Sequence, residues 1–152
     1  MLKGISPHLS PELLKTLHEM GHGDELLLAD AHFPGHALGR RLLRADGLTV
    51  SQMLDAILPL FELDSDAEPV IMMQPDSGDA LDPLVEADFL RSIHKQAPAS
   101  PAPVLIGRQA FYDRAGSAYA IVMTGELRTY GNLIIKKGVT PAFTASGRRR
   151  SS

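Results

Sequence analysis

The chain lacks cysteine, and it lacks any long uninterrupted apolar run. Without cysteine there are no disulfides, thiolate nucleophiles or thiolate metal sites, which agrees with a reducing compartment. The N-terminal segment "MLKGISPHLSPELL" has no signal-peptide apolar region, and no later run approaches the roughly 18 apolar residues of a membrane helix. We therefore expect a soluble, cytoplasmic protein that does not act at a membrane.

An excess of charge of either sign is also missing. Lys and Arg number 15 against 18 Asp and Glu, for a formal net charge of −3, and this balance does not favour nucleic acid as a partner. The basic cluster Arg148 to Arg150 lies in the final "SGRRRSS". We predict one domain over residues 1–141 and a polar, basic, poorly ordered tail over residues 142–152.

The motifs of several enzyme classes are absent as well. The sequence has no P-loop, no dinucleotide-binding glycine pattern and no GxSxG element. Two glycine-containing loops, "PDSGD" and "MTGE", are too short to cradle a phosphate. We therefore expect an activity that uses no cofactor.

The chain does contain short apolar runs that alternate with helical patterns. The predicted strands are "ELLLADA", "PVIMMQP", "PVLIGR", "YAIVMTGE" and "NLIIKKG". The predicted helices are "SPELLKTLHEMGHG", "TVSQMLDAILPLF", "DPLVEADFLRSIHKQ" and "QAFYDRAGSA", and residues 32–48 are predicted to be irregular. This alternation is typical of α/β proteins. We predict a single three-layer α/β domain with a largely parallel central sheet flanked by helices.

Polar residues follow several of these strands. In open parallel sheets, ligands bind beyond the carboxyl ends of the strands. The residues that the prediction places there are Asp30, Gln74, Asp76, Arg108, Gly125 and Glu126. A carboxylate such as Asp30 at the end of an apolar strand must be hydrogen-bonded or solvated by a cleft.

The segment "EMGHGDELLLADAHFPGH" is rich in ionisable side chains. His32 and His36 are four residues apart, the spacing of two metal ligands on one helix face. However, Pro34 and Gly35 argue against a regular helix, and no second ligand pair is evident. Histidines that bind loop backbone are the simpler interpretation, so we predict no metal site.

His22 lies just after the first predicted helix, in the sequence G-H-G-D. Ser10 is the predicted N-cap of that helix and Gly21 its left-handed stop. A helix C-terminus favours a cation, which suits a histidine that acts as an acid near neutral pH. The alternative is a histidine that only caps the helix carbonyls. Similarly, Tyr130 and Asn132 of "TYGN" either offer a phenol and an amide to a polyhydroxyl ligand or simply form a turn.

Four separated blocks resemble, in order, the ribose pyranase/fucose mutarotase family, and in particular its fucose branch. They are "MLKGISPHLSPELLKTLHEMGHGDELLLADAHFPGH", "RADGLTVSQMLDAILPLFELD", "AFYDRAGSAYAIVMTGE" and "YGNLIIKKGVTP". The resemblance runs from Met1 to about Pro141. It implies a small α/β subunit, a decamer of two stacked pentamers, and an enzyme that interconverts sugar anomers.

The resemblance also implies roles for individual residues. His22 matches the family's catalytic acid, and Asp30 and Arg108 match its sugar ligands. The Tyr-x-Asn element, here Tyr130, Gly131 and Asn132, also binds the sugar. Histidine replaces the arginine in the ribose branch, so Arg108 favours L-fucose as the substrate. Tyr130 is our candidate for the second proton-transfer group.

Ring opening of a sugar hemiacetal needs one acid and one base but no redox cofactor or covalent nucleophile. We expect His22 and Asp30 to face one cleft, and we expect neighbouring subunits to share the site, one of them lending Tyr130 and Asn132. The alternatives are a monosaccharide-binding protein without turnover, and a metal-dependent hydrolase or isomerase that uses His22, His32, His36 and Asp30.

Overall fold

The structure, a computed structural model, describes residues 1–143, so the predicted tail lies outside the described residues from position 144 onward. Within this range the chain forms five α-helices and a six-stranded sheet. The strands are β1 (Glu25–Ala29), β2 (Leu42–Ala45), β3 (Val70–Met73), β4 (Val104–Ile106), β5 (Ala120–Thr124) and β6 (Leu133–Lys136). The helices are α1 (Pro11–Glu19), α2 (Gly35–Leu38), α3 (Val50–Ile57), α4 (Pro83–Gln96) and α5 (Arg108–Ser117). Over the described part of the chain, no helix is both long and apolar enough to cross a bilayer.

Helix α1 begins at its predicted N-cap, and α4 has a similar cap. The Ser10 side chain accepts a hydrogen bond from the Leu13 N–H at the start of α1, and Asp82 caps α4 in the same way. The predicted stop of α1 at Gly21 is wrong. The helix ends at Glu19, the chain leaves through an extended Met20, and the left-handed residue of the turn is Gly23, with φ 88°.

Residues 32–48, predicted to be irregular, contain two elements. The short helix α2 lies between Pro34 and Gly39, and β2 follows it. Strand β2 lies at one margin of the sheet, and its residues are only partly buried. A margin strand needs no continuous apolar run, so the pattern that identified the other strands is absent from β2.

The sheet is mixed, with the order β2-β5-β1-β6-β3-β4. Strand β5 is parallel to β1 and β2, and β3 is parallel to β4, whereas β6 is antiparallel to both β1 and β3. Five strands therefore point one way and β6 points the other way. The connection before β6, residues 125–132, is shorter than the dozen or more residues of a parallel crossover, so the chain returns in the opposite direction.

Both faces of the sheet are buried. Leu26 and Leu28 of β1 pack in one apolar cluster with side chains of α1, α3 and α4. Leu27 and Ala29 pack in a second cluster that includes Phe111 of α5. Because successive residues of a strand point to opposite faces, burial on both faces explains why the central strands are continuous apolar runs.

The reversed strand gives the sheet two distinct ends. We call one the cleft end, formed by residues 30–34, 74–79, 107–108 and 125–132, where the five parallel strands finish and β6 begins. The other is the His22 end, formed by residues 20–24, 62–66 and 136–138, where β1 and β3 begin and β6 finishes. The candidate site residues are divided between these two ends.

Gly125, directly after β5, permits a close contact with the loop that follows β2. A Cβ atom there would lie 2.1 Å from the carbonyl oxygen of Asp46. We expect Gly125→Ala to lower the free energy of unfolding by about 1–3 kcal/mol in urea denaturation, because the backbone segments must separate. Gly47→Ala is the control, since a Cβ at Gly47 has no neighbour within 4 Å. An equal loss for both variants would contradict the contact as the cause.

Candidate functional site

A cleft of about 280 Å³ opens at the cleft end of the sheet. Its polar lining includes Asp30, His32, Asp79, Arg108, Tyr130 and Asn132. The structure thus brings together four residues that were predicted to bind a ligand. Asp30 follows β1, Arg108 begins α5, and Tyr130 and Asn132 lie in the loop before β6.

Asp30 and Asn132 form a reciprocal pair in this cleft. The Asp30 backbone N–H donates to Oδ1 of Asn132 over 2.7 Å, and Nδ2 of Asn132 donates to Oδ2 of Asp30 over 3.1 Å. The backbone N–H of His32 donates to the other carboxylate oxygen over 2.9 Å. Both side chains are buried, so the pair fixes the start of β6 against the end of β1. A carboxylate offers about four acceptor sites, so Asp30 has capacity left to accept from ligand hydroxyls.

Burial raises the pKa of Asp30 above its ordinary 3.8, and the hydrogen bonds from His32 and Asn132 oppose that rise only in part. The ionised form is the one that accepts hydrogen bonds from a ligand at both oxygens. As the pH falls, Asp30 therefore loses its charge earlier than an ordinary aspartate does.

We expect the affinity of the cleft for a hydroxyl-rich ligand to fall as the pH is lowered, already at pH values above 3.8, because Asp30 protonates in that range. Protonation of Asp30 does not destabilise the fold. A raised carboxyl pKa means that the ionised form costs folding free energy above the unfolded pKa, and protonation relieves that cost. Calorimetric titration with L-fucose, the ligand that the sequence resemblance implies, between about pH 7 and pH 4 and alongside thermal unfolding, checks this. Asp30→Asn is the control, and the same pH dependence in that variant would contradict the assignment.

Tyr130 has an unusual backbone conformation at the rim of the cleft. Its φ of 58° is left-handed, which is uncommon for a residue other than glycine. The hydroxyl donates to Oδ2 of Asp79 over 2.6 Å and accepts from the Asp76 N–H over 3.1 Å. A Cβ on the next residue, Gly131, would lie 2.8 Å from Cγ of Glu126, so the loop passes closely over that buried side chain. Residues held in sparsely populated conformations cluster at binding and catalytic sites.

Arg108 is the first residue of α5, whereas the sequence placed it at the end of a strand; β4 ends two residues earlier, at Ile106. Its guanidinium pairs with the Asp76 carboxylate. A hydrogen bond with Tyr130 and the charge of Asp76 raise the pKa of Arg108, so the group is a permanent cation. It lies about half-exposed and directed at the cleft lining.

His22 lies at the opposite end of the sheet. Nε2 of its ring is 3.2 Å from Oδ1 of Asp64 and 3.7 Å from Oδ2 of Asp66. Strand β1 separates His22 from Asp30, and at about 3.3 Å per residue this puts them roughly 15 Å or more apart. The expectation that His22 and Asp30 face one cleft is therefore wrong within a single subunit. Tyr130 does not face the His22 of its own subunit but lies with Asp30 and Arg108.

The other two histidines of the opening cluster also separate. His32 lines the cleft, while Nε2 of His36 lies 3.1 Å from a guanidinium nitrogen of Arg44. The ligand set His22, His32, His36 and Asp30 is not assembled. Over residues 1–143, the group close enough to share a metal ion is instead His22, Asp64 and Asp66, whose ligand atoms lie within 4.8 Å of one another.

Three features of the site were missed in the sequence. Asp79 binds the Tyr130 hydroxyl across 51 positions, and Asp64 contacts His22 across 42. The cleft also has an aromatic wall, where the rings of Phe33 and Tyr112 meet edge to face with centroids 5.5 Å apart. Long-range contacts leave no local pattern, although the position of "SGD" shortly after a strand end was a usable signal for Asp79.

Comparison with known proteins supports a single family. A family model described as "RbsD / FucU transport protein family" matches residues 3–140. The fucose mutarotase of Streptococcus pneumoniae, solved in complex with L-fucose, is 42% identical with a TM-score of 0.86, covering 91% of this chain and 99% of that one. FucU of Bifidobacterium longum is 38% identical with a TM-score of 0.85 and the same coverage. RbsD of Bacillus subtilis, solved with D-ribose, shares the fold at 22% identity and a TM-score of 0.68, covering 91% of this chain and 98% of that one.

Proposed function

We propose that this chain, which belongs to the RbsD/FucU transport protein family, is a sugar mutarotase. It interconverts the α and β anomers of L-fucose by acid- and base-catalysed opening and closing of the sugar ring. The fucose mutarotase with bound L-fucose, similar over nearly its whole length, supports this assignment. The residue roles below are part of the proposal.

The observation that carries the proposal is the cleft around Asp30. It gathers a buried carboxylate, an amide, a guanidinium and a phenol in about 280 Å³. Ligand pockets for drug-sized molecules start at about 300 Å³, so this cleft has the size of a monosaccharide site. Donors and acceptors at fixed positions suit a neutral ligand with several hydroxyls.

The aromatic wall favours a 6-deoxy sugar. Phe33 is 6% exposed and its ring packs edge to face on those of Phe111 and Tyr112. An apolar wall accommodates the C6 methyl group of L-fucose, whereas a hydroxyl in its place would lose water without gaining a hydrogen bond. We therefore expect L-fucose to be a better substrate than L-galactose, which differs only by that hydroxyl.

In the proposed reaction a base takes the proton of the anomeric hydroxyl while an acid donates a proton to the ring oxygen. The bond between C1 and the ring oxygen breaks, and the aldehyde rotates and closes on its other face. His22 is the acid and Tyr130 the second proton-transfer group. The Tyr130 oxygen takes the anomeric proton as its own proton passes along the hydrogen bond to the Asp79 carboxylate, and both protons return on ring closure. Asp30, Arg108, Gly131 and Asn132 hold the sugar in one orientation, which contributes to the rate by restricting its motion.

We further propose that each site is built by two subunits. The cleft of one subunit supplies Asp30, Arg108, Tyr130 and Asn132. The neighbouring subunit therefore contributes His22, and not Tyr130 and Asn132 as the sequence predicted. A head-to-tail contact that brings the His22 end of one subunit to the cleft end of the next closes into a ring. Exposed apolar side chains at both ends support such a contact, with Leu127 71% exposed at the cleft end and Val139 70% exposed beyond the His22 end. A decamer of two stacked pentamers, in the cytoplasm, is the proposed assembly.

Saturation-transfer NMR on sugar at anomeric equilibrium tests the function. Catalytic amounts of protein are expected to speed exchange between the α and β signals of L-fucose, in chelator as well as without it. Binding shifts without faster exchange would instead indicate a monosaccharide-binding protein. Loss of exchange in chelator would indicate the metal-dependent alternative. A panel of L-fucose, L-galactose and D-ribose establishes the substrate preference.

A further inference from the structure

Asp64 is a buried carboxylate whose contacts the proposed reaction has not used. Its side chain is 5% exposed, whereas the His22 side chain beside it is 48% exposed. The carboxylate thus lies beneath the imidazole, and the outer part of the ring remains open to solvent. Buried carboxylates are usually held by specific partners, so its surroundings indicate its role.

The backbone around Asp64 is fixed by the end of β6. The Asp64 N–H donates to the Lys136 carbonyl over 2.9 Å, and Leu63 and Lys137 form an isolated antiparallel bridge. Gly138 allows the two segments to approach this closely, because a Cβ there would lie 2.9 Å from Cα of Asp64. Asp64 therefore presents its carboxylate from a loop segment that is held against the end of β6.

The Asp64 carboxylate is also an ionised hydrogen-bond acceptor. Its Oδ1 accepts from the Asp66 backbone N–H over 3.1 Å and lies 3.2 Å from Nε2 of His22. The Asp66 hydrogen bond and the His22 imidazole lower the pKa of Asp64 below 3.8, so it is ionised near neutral pH. An ionised carboxylate only accepts hydrogen bonds, so the contact requires a proton on Nε2.

We propose that Asp64 is a positioning residue that orients His22 for proton transfer. With Nε2–H bound to Asp64, Nδ1 is the ring nitrogen that remains for proton transfer. The imidazolium donates its Nδ1 proton to the ring oxygen as the C1–O bond breaks, and the neutral ring that remains is the Nε2–H tautomer, still bound to Asp64. Ring closure returns the proton to Nδ1. This assignment rests on the proposed function of His22.

Asp64→Asn tests the proposal, because it replaces a charged acceptor with a neutral one of the same shape. We expect kcat for anomer exchange to fall by about tenfold with KM unchanged, since charge-assisted hydrogen bonds are roughly twice as strong as neutral ones. Asp64→Ala, which removes the acceptor, is expected to lose about a hundredfold, and Asp64→Asn remains informative if the alanine variant fails to fold. The matched control is Asp66→Asn, whose side chain is 77% exposed. An equal loss in the control would overturn the proposal in favour of a general charge effect.

Two measurements separate positioning from a merely structural role. In a His22→Gln background, Asp64→Asn is expected to cause no further loss, because it acts through His22. An additional loss there would overturn the proposal. Long-range ¹H–¹⁵N spectra of histidine-labelled protein report which ring nitrogen of His22 carries the proton, without any turnover. If neutral His22 carries its proton mainly on Nδ1, the positioning role of Asp64 is overturned. If the wild-type protein shows the Nε2–H form but does not speed anomer exchange, the proposed mutarotase function is refuted instead.

Discussion

Subunits that lack His22 are expected to regain activity when they are assembled with subunits that lack Asp30. His22→Gln alone should lower kcat by about 10²–10⁴-fold, the contribution of one positioned acid, while the cleft still binds sugar. Asp30→Asn leaves His22 in place but impairs sugar binding. Because the two residues lie at opposite ends of β1, a site shared by two subunits takes one residue from each.

Random assembly at equal amounts should make about a quarter of the sites intact in a ring of head-to-tail contacts. Co-expression with two different affinity tags gives the mixed assemblies, and the exchange rate per site gives the fraction. The matched control mixes Asp30→Asn with Arg108→Ala. Both changes lie in the same cleft, so no site is restored. If the mixture of His22→Gln and Asp30→Asn subunits stays inactive, the shared site is contradicted. If the control mixture gains activity, the gain has a cause other than a site shared in this way.

Tyr130→Phe is expected to lower kcat by about 10²–10⁴-fold with a much smaller effect on KM. The change removes the hydroxyl and keeps the ring, and the left-handed backbone is still supported by the close passage of Gly131 over Glu126. Tyr112→Phe is the matched control, because Tyr112 lines the same cleft without a proposed role in proton transfer. Anomer exchange and sugar affinity are measured for both variants.

The outcome that contradicts this role of Tyr130 is specific. Full turnover by Tyr130→Phe, together with loss of turnover by His22→Gln, would leave the second proton-transfer group unassigned and reduce Tyr130 to a contact of Asp79. A rise in KM at constant kcat would assign Tyr130 to sugar binding alone.

Much of the fold is predictable because its central strands are buried on both faces, and because α1, α3 and α4 carry capping side chains. Those features are local, and they identified α1, α3, α4 and five of the strands. Strand β2 was missed because it lies at the margin of the sheet and is only partly buried. The direction of β6 was not predictable from its apolar run, since "NLIIKKG" has the same pattern in either direction.

The candidate site was predictable in part for the same reason. Residues that follow strands, such as Asp30, meet at one end of the sheet by geometry alone. Closeness in sequence was misleading for His22, because the intervening strand carries the chain across the whole sheet. The partners of His22 and Tyr130, namely Asp64 and Asp79, depend on contacts between distant segments, and no local pattern encodes them.

The position of β6 has a consequence for how the chain acquires its structure. It is the last of the described strands along the chain, yet it lies between β1 and β3, and Leu133, Ile134 and Ile135 are fully buried. Until it inserts, β2, β5 and β1 are not joined to β3 and β4, and the apolar margins of both partial sheets are open to other chains. N-terminal segments emerge first during synthesis, so Asn132, directly before β6, and the Lys136 carbonyl that binds the Asp64 N–H are released after the other five strands. A ribosome-bound chain that has not yet released β6 therefore lacks both the Asn132 partner of Asp30 and the backbone partner of Asp64.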